Sequence, residues 1–385
     1  MRIAFYAPLK SPTHNVPSGD RRVARLLVEA LGRAGHEVEL VSSLRTYEPL
    51  GDAGRQALLR EQGLKLARDL SSRWRGPDSS RRPDLWFTYH VYYKAPDWTG
   101  PAAAADLGIP YVIAEASYAP KRAGGPWAMG HDGTAEAIRA AALVLCPTQD
   151  DVACVDALIS APGRVMRLPP FLDTGPYQAA ARERVMHRTG LSARHGLDAT
   201  VPWIIVAAMM RKGDKMASYE MLAQALVRVA DVPWQILVAG DGVARGDVEA
   251  AFRRVAPGRA RFLGECGAEE LAAAYAASDL YVWPAVNEAY GMAMLEAQAA
   301  GVPVVSRSVR GVPDVVLDGV TGLLAPEGDE AALGRLMRSL LLDTARRKKL
   351  GQAAARFVAD ERSIESAAGS LDQALRAVCM PARLP

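Results

Sequence analysis

Cysteine is scarce, with four among 385 residues, and Cys146, Cys154, Cys266 and Cys379 form neither a C-x-x-C pair nor a dense framework. A disulfide-stapled secreted scaffold is excluded, and a reducing cytoplasm is the expected setting. Long apolar runs are also missing. Nowhere do 18 consecutive uncharged apolar residues occur, so no membrane-spanning helix is predicted. The first run, Ile3-Ala4-Phe5-Tyr6-Ala7, stops at Pro8, which is too short for a signal-peptide core and reads as a buried strand. Charge of one sign is scarce as well. With 46 basic against 43 acidic residues the net charge is only +3, so no nucleic-acid partner is expected. What the chain does have is the makeup of a globular protein. Half its residues are hydrophobic, which excludes disorder. Its 33 glycines and 25 prolines exceed the usual ~12% combined and imply many tight connections. The length suggests two or three domains at roughly 150 residues each.

Short apolar runs alternate with longer amphipathic stretches along the whole chain, the pattern of parallel βα units. In the first half, strands are predicted near 2–7, 37–42, 84–89, 110–114 and 142–146, with helices over 20–33, 55–74 and 133–140. From Pro169-Pro170 to Thr200 the pattern breaks into prolines, isolated charges and a helical piece near 178–188, as in a connection between domains. Strands resume near 203–206, 234–239, 260–263, 279–283, 302–306 and 322–325. The tail carries Ile364, Leu371, Leu375 and Val378 at helical spacing. The expected fold class is α/β, with two Rossmann-like doubly wound domains facing a central cleft. Its divisions are residues 1–175, a linker over 176–200, a second domain over 201–360, and a C-terminal helix and tail over 361–385 that packs back on the first domain. Ligands of such sheets sit beyond the carboxyl ends of the strands.

Three segments carry chemistry at those ends. The first runs from Asp279 to Val305 and holds Glu288 and Glu296, eight positions apart. On one ideal helix they would be separated by about 12 Å of rise. A hydrolase needs its two carboxylates roughly 5–10 Å apart, so the longer span suits two hydroxylated ends of one extended ligand. Gly291 permits close approach at a helix N-terminus, where unpaired N–H groups favour a diphosphate. The second segment, Met210-Arg211-Lys212-Gly213-Asp214-Lys215, offers the cations that a diphosphate leaving group requires. The third, Gly240-Asp241-Gly242-Val243-Ala244-Arg245-Gly246, has the spacing G-x-G-x-x-x-G. That is one residue too long for the dinucleotide fingerprint, which disfavours a nicotinamide oxidoreductase.

The E-x7-E pattern, with Trp283-Pro284 before it, Tyr290-Gly291 within it and Glu296-Ala297 leading to Gly301-Val302-Pro303-Val304-Val305 after it, resembles the retaining glycosyltransferases of family four (glycosyl transferases group 1), which have the GT-B fold. The resemblance implies a donor domain in the second half. There Glu288 contacts the donor sugar and Glu296 the ribose hydroxyls, while Tyr290, Gly291 and Met292 lie against the sugar diphosphate. Gly240 and Gly242 border the nucleotide, and Arg211 with Lys215, or Lys212 in its place, stabilises the leaving diphosphate. It also implies an acceptor domain in the first half, where the family has two adjacent glycines before the first helix. Here Gly19 is followed by Asp20, read as a cap of the helix or a partner for an acceptor hydroxyl. The family's histidine after the strand ending at Ala114 is absent, and His90 and Glu115 are the nearest substitutes. His36 is read as structural. The implied reaction moves a sugar from a UDP- or GDP-type nucleotide sugar to a glycan, lipid-linked or small-molecule acceptor, with retention, as in cell-surface glycan or glycolipid synthesis. No cofactor is expected beyond the donor substrate. No metal is expected either, since no Asp-x-Asp pair accompanies the diphosphate site. The rivals are a nucleotide-sugar epimerase or a phosphorylase of the same fold, and an inactive nucleotide-sugar-binding module.

A basic segment points to a further partner. Arg55, Arg60, Lys65, Arg68, Arg73, Arg75, Arg81 and Arg82 stand against only Glu61, Asp69 and Asp78. Leu59, Leu66, Leu70 and Trp74 fall near one helical face flanked by these arginines. A helix lying on an anionic bilayer has this pattern, so peripheral contact with the inner face of a membrane is one expectation. Burial of the same leucines in the domain's own core is the other.

Overall fold

The computed structural model describes residues 1–16, 18–159 and 161–380; Pro17 of the loop before the first helix, and the tail from 381, lie outside the described residues. The chain divides into two compact units, Met1–Pro169 with Ile364–Pro385, and Pro170–Ser363.

The first unit is built from β1 (Arg2–Tyr6), α1 (Gly19–Arg33), β2 (Glu37–Leu40), α2 (Ala53–Arg75), β3 (Leu85–Val91), α3 (Gly100–Leu107), β4 (Tyr111–Ala116), α4 (Ala128–Ala140), β5 (Leu143–Cys146), α5 (Gln149–Asp156) and β6 (Val165–Arg167). Its sheet has the order β2-β1-β3-β4-β5-β6, and every pairing is parallel. The central strands read as near-continuous apolar runs because helices cover both faces, and Ile3, Phe5, Leu85, Phe87, Val112 and Ile113 are fully buried. Helix α1 starts where Ser18 Oγ accepts from the Arg21 amide at 3.2 Å; it buries Ala24, Leu27 and Leu31 at helical spacing. The cap is therefore Ser18 and not Asp20.

Two elements of this unit have no periodic signature. Helix α3 is mostly alanine and is instead fixed at its start by Asp97. That carboxylate accepts from the amides of Thr99 (2.8 Å) and Gly100 (2.7 Å), from Thr88 Oγ1 (2.6 Å) and from the Tyr111 hydroxyl (3.0 Å). Strand β6 is a three-residue edge.

Most of the basic segment is helix α2. Leu59, Leu70 and Trp74 are buried, and Leu70 and Trp74 join the first unit's core with Leu66 packed against it. Arg73 pairs with Glu39 (3.0 Å) and Asp78 (3.1 Å), and Arg75 with Asp106 (2.7 Å). The apolar face of this helix is therefore core, and Arg73 and Arg75 at its C-terminal end pair within the protein. No helix among the described residues is long and apolar enough to cross a membrane.

The second unit comprises α6 (Gly175–Arg182), α7 (Arg184–His195), β7 (Trp203–Ala207), α8 (Asp214–Val227), β8 (Gln235–Ala239), α9 (Arg245–Val255), β9 (Ala260–Gly264), α10 (Ala268–Ala277), β10 (Leu280–Val282), α11 (Met292–Ala299), β11 (Val304–Arg307), β12 (Gly322–Ala325), α12 (Glu330–Leu342) and α13 (Thr344–Glu361). Its parallel sheet has the order β12-β11-β10-β7-β8-β9. Residues 176–200 are two helices that pack on α10 and bury Tyr177, Ala180 and Leu197 in this unit's core. Helix α14 (Ile364–Cys379) returns to the first unit and packs on α1, where Glu365 pairs with Arg33 and Asp372 approaches His36 Nε2 at 3.3 Å.

Asp279 is the anchor of α7. Its carboxylate meets Arg184 at 2.8 Å, Arg188 at 2.9 Å and the Trp203 amide at 2.8 Å, and the Arg188 guanidinium lies 4.1 Å above the Trp203 ring. Asp279→Ala removes the shared counter-charge of two partly buried arginines and should destabilise the second unit by about 3 kcal/mol. An unchanged urea midpoint for this variant would show that the anchor is dispensable.

Candidate functional site

Each unit gathers its chemistry at the carboxyl ends of its strands. In the second unit, β7 continues past Ala207 as an irregular strand that stays bonded to the glycine turn after β8. The Ala208 amide donates to Ala239 O (3.1 Å), Met210 to Asp241 O (2.9 Å), and Ala244 back to Met210 O (3.0 Å). Gly240 and Gly242 have φ of +134° and +147°, and a Cβ on them would lie 2.0 Å from the Ala208 carbonyl oxygen and 2.3 Å from that of Met210. No other residue fits. The two glycines thus hold the backbone from which Arg211, Lys212 and Lys215 project.

Lys215, at the start of α8, donates to Glu288 Oε2 at 2.5 Å, and the Trp283 indole N–H donates to the same oxygen at 3.2 Å. The Lys215 ammonium also lies 5.3 Å from the Trp283 ring centre. Two donors and a ring therefore fix one carboxylate oxygen. Arg211 is exposed, with its guanidinium against Met209 Sδ at 2.9 Å, and it has no carboxylate partner among the described residues. Lys212 is exposed too.

Glu288 precedes the helix, as its place before the glycine implies. Gly291 stands at the N-cap of α11 in the left-handed region (φ +75°), and a Cβ there would sit 2.5 Å from Met294 Cε. Tyr290 and Met292 pack half-buried against this unit's core. In the first turn of α11 the Met294 amide donates to the Gly291 carbonyl at 3.0 Å, and the amides of Met292 and Ala293 precede the helix's own bonding. Glu296, one turn on, is 2% exposed and accepts from the Tyr275 hydroxyl at 3.1 Å. Burial, reinforced by the Glu296 charge, holds that phenol protonated and hence a donor.

Asn287 and Arg310 were missed by the sequence reasoning. Asn287 donates to Asp214 Oδ2 at 2.8 Å and accepts from Arg310, while the Val286 amide donates to Ser218 Oγ at 3.0 Å. Ala285, Asn287 and Arg310 all have positive φ, at 59°, 51° and 46°. The loop after β10 is thus held in a costly conformation by bonds to α8 and to the loop after β11. No local sequence signal announces these links, because each spans a long stretch of chain.

In the first unit the strand ends bring together the two candidate substitutes for the family histidine. Tyr89 pairs with Ala114 and Val91 with Ala116, so His90 and Glu115 are opposite one another, both with positive φ (61° and 64°). His90 Nδ1 lies 3.2 Å from Asp20 Oδ1 and 3.5 Å from Glu115 Oε1. Asp20 therefore turns from α1 to the imidazole. Burial opposes charge on His90, but Glu115 and Asp20 outweigh it and raise its pKa to about 9. The Asp20 carboxyl is held below its ordinary value because its bond and ion pair with His90 outweigh burial. Burial raises Glu115, against the pull of His90. Asp151, at the start of α5, adds a third carboxylate within electrostatic reach. Gly19 is exposed, with open space where a Cβ would stand.

Residues 202–343 match the family model described as glycosyl transferases group 1. That match covers less than half of the chain, and over it the chain resembles the group 1 glycosyltransferases. Among curated proteins, the D-inositol 3-phosphate glycosyltransferase of Corynebacterium efficiens is 30% identical over 198 residues, 50% of this chain and 46% of that protein. The sulfoquinovosyl transferase SQD2 of Arabidopsis thaliana is 34% identical over 140 residues, 36% of this chain and 26% of that protein. The chain spans less than half the length of these relatives. Among solved structures, HepE of Anabaena in complex with UDP aligns with a TM-score of 0.72 over 98% of this chain and 100% of that one, at 15% identity. The chain thus has the GT-B fold class, and the matched residues contain the whole of the Lys215–Glu288 arrangement.

Stability linked to His90 should follow its raised pKa. It is fully present below the ordinary pKa of about 6.5 and is lost as pH rises through about 9. In proton NMR the His90 ring should titrate near 9 in the native protein, and Asp20→Asn should move that midpoint down. A His90 midpoint near 6.5 in the unmodified chain would mean that the two carboxylates do not hold the proton.

Proposed function

We propose that this protein is a retaining glycosyltransferase that moves a sugar from a nucleotide diphosphate sugar to an acceptor hydroxyl. The observation that carries the reading is the single Glu288 oxygen held by Lys215 and Trp283 beside the glycine-capped start of α11. Glu288 is positioned to meet sugar hydroxyls, and the α11 N-terminus to meet a diphosphate. Arg211 supplies a second cation where negative charge builds as the glycosidic bond breaks, and Lys215 a first. In a retaining transfer of this kind the acceptor hydroxyl attacks the face that the diphosphate leaves, and a phosphate oxygen takes its proton. The chain's own groups then contribute position and charge.

HepE was solved in complex with UDP, which supports a uridine donor. With two cations and no carboxylate pair at the diphosphate site, transfer should proceed without a divalent metal. The first unit, with Asp20, His90 and Glu115, takes the acceptor. A cytoplasmic setting fits a chain of 385 residues with only four cysteines and no C-x-x-C pair.

Calorimetric titration tests the donor site. Arg211→Ala should weaken UDP binding roughly 10- to 150-fold, as expected for a lost charge-assisted contact, and should leave UMP binding nearly unchanged. Glu288→Gln should bind UDP normally and turn over slowly. Equal loss of UDP and UMP affinity in Arg211→Ala would remove the arginine from the diphosphate. Activity abolished by chelator and restored by magnesium would replace both cations with a metal.

A further inference from the structure

The loops at the sheet end of the first unit carry a surface that the His90 cluster does not use. Tyr92 and Tyr93 follow β3, and their rings continue outward from His90 in a chain. Ring centres are 5.2 Å apart from His90 to Tyr92, 5.5 Å from Tyr92 to Tyr93, and 5.6 Å from Tyr93 to Trp127. Cations lie along it. Lys94 is 4.4 Å from the Trp127 ring centre and 5.9 Å from that of Tyr93, and Arg122 is 5.2 Å from Tyr93. Arg45 lies 4.5 Å above Tyr47, and both act electrostatically on the Tyr92 hydroxyl.

Among the described residues none of Arg45, Lys94 and Arg122 has a carboxylate within ion-pair distance, whereas Arg2, Arg33, Arg73 and Arg75 of the same unit are all paired. The rings are half-buried, and Arg45 and Arg122 are exposed. The platform is built and not incidental. The Trp127 indole N–H donates to Glu48 O at 3.0 Å, Glu48 Oε1 accepts from the Leu50 amide at 2.8 Å, and Gln56 bridges Pro126 O (2.8 Å) and the Gly130 amide (3.1 Å). A Cβ on Gly51 would stand 2.5 Å from Pro126 Cβ, so the two loops are packed to contact.

The strip is polarised. At its inner end Asp20, Glu115 and Asp151 outnumber the His90 charge; they repel an anion and accept from hydroxyls. At its outer end three uncompensated cations stand over aromatic faces. A sugar ring presents C–H faces that stack on tyrosine and tryptophan, and an attached phosphate or carboxylate meets Arg and Lys by charge-assisted bonds. We propose that this strip is the subsite for a soluble acceptor that is an anionic carbohydrate. Its ring lies on Tyr92, Tyr93 and Trp127, its reacting hydroxyl faces Asp20 and His90, and its negative group is held by Arg45, Lys94 and Arg122. The proposal rests on the transferase reading and names the class of acceptor.

Titration of the full chain with glucose 6-phosphate, glucuronic acid, glucose and inorganic phosphate tests it, with UDP as a separate arm. Glucose 6-phosphate, glucuronic acid or both should bind, more weakly as salt is raised, and at least tenfold more tightly than glucose or inorganic phosphate. Lys94→Gln with Arg122→Gln should weaken that binding about tenfold or more, and Tyr93→Leu should weaken it as well. UDP affinity should be unchanged in every variant, which also shows that each has folded. Glucose or inorganic phosphate binding as tightly as the charged sugars overturns the proposal, as does charged-sugar binding that survives the double substitution. Failure of the charged sugars together with sedimentation on phosphatidylglycerol vesicles that the same double substitution abolishes would overturn it in favour of a membrane surface. Absence of UDP binding in the unmodified chain would instead sink the transferase reading on which the proposal rests.

Discussion

The strand-end arrangement of the second unit depends on two places where the chain leaves no room for a side chain. The Ala208 and Met210 carbonyls lie so close to Gly240 and Gly242 that a Cβ at either glycine would overlap them. The strand ladder can therefore continue beyond the regular ends of β7 and β8, through bonds from Ala208 to Ala239 and from Met210 to Asp241. This continuation fixes the backbone on which Arg211 stands and delivers Lys215 on the first turn of α8. Glu288 is located by that lysine, and the loop after β10 by Asp214 and Ser218 of the same helix. A glycine pair that resembles a nucleotide fingerprint thus acts first through backbone geometry, and its relation to any ligand passes through the residues it positions.

Charge is handled differently in the two units. Lys215 and Glu288 form one pair at a half-buried position, each satisfied by the other and by Trp283. His90 stands among three carboxylates, so its imidazolium is favoured while the surroundings remain net negative. On the proposed transferase reading the difference has a chemical sense. A diphosphate needs cations that can be released to it, and Arg211 is uncommitted while Lys215 is held by a single carboxylate. A hydroxyl needs acceptors, which Asp20 and Glu115 provide while His90 limits their mutual repulsion. Asp20, which stands where the family has a glycine, is the residue that makes the cluster possible.

Much of this was legible in the chain. The alternation of apolar runs and amphipathic stretches placed eleven of the twelve strands, because buried parallel strands leave that mark directly. Helix α3 was not legible, since an alanine run has no periodic face and its start is set by Asp97 through contacts with Thr88 and Tyr111. The segment 176–200 read as a connection because Pro176 and isolated charges mask two helices, and the anchor of the second, Asp279, lies far along the chain. At the site, E-x7-E and the glycine turn were readable as spacing. The pairing of His90 with Glu115 required the register of β3 on β4, and Asp20 required the placement of α1. Asn287 and Arg310 were silent for the same reason. The amphipathic face of α2 was readable but ambiguous, since a core-facing helix and a membrane-facing helix share one pattern until the partner surface is known.

Backbone strain marks the same places in both units. Among the described residues, five that are not glycine have positive φ: His90 and Glu115 at the ends of β3 and β4, Ala285 and Asn287 after β10, and Arg310 after β11. Each such conformation costs of order 1–3 kcal/mol, and none lies on a helix surface or at a remote turn where it could relax without consequence. All lie at or beyond the carboxyl ends of strands in a parallel sheet. There the flanking ladder and helix fix the chain on one side, and the side chain must be turned out of the strand's alternation to reach its partners. His90 in an extended conformation would continue the in-and-out pattern of β3, and its ring would not take the position that now meets both Asp20 and Glu115. The strain at that residue is thus tied to the contacts that raise its pKa. Such conformations at five strand-end positions, four of them on polar side chains, are consistent with the proposed binding role of these edges, since sequences break local rules mostly at functional sites.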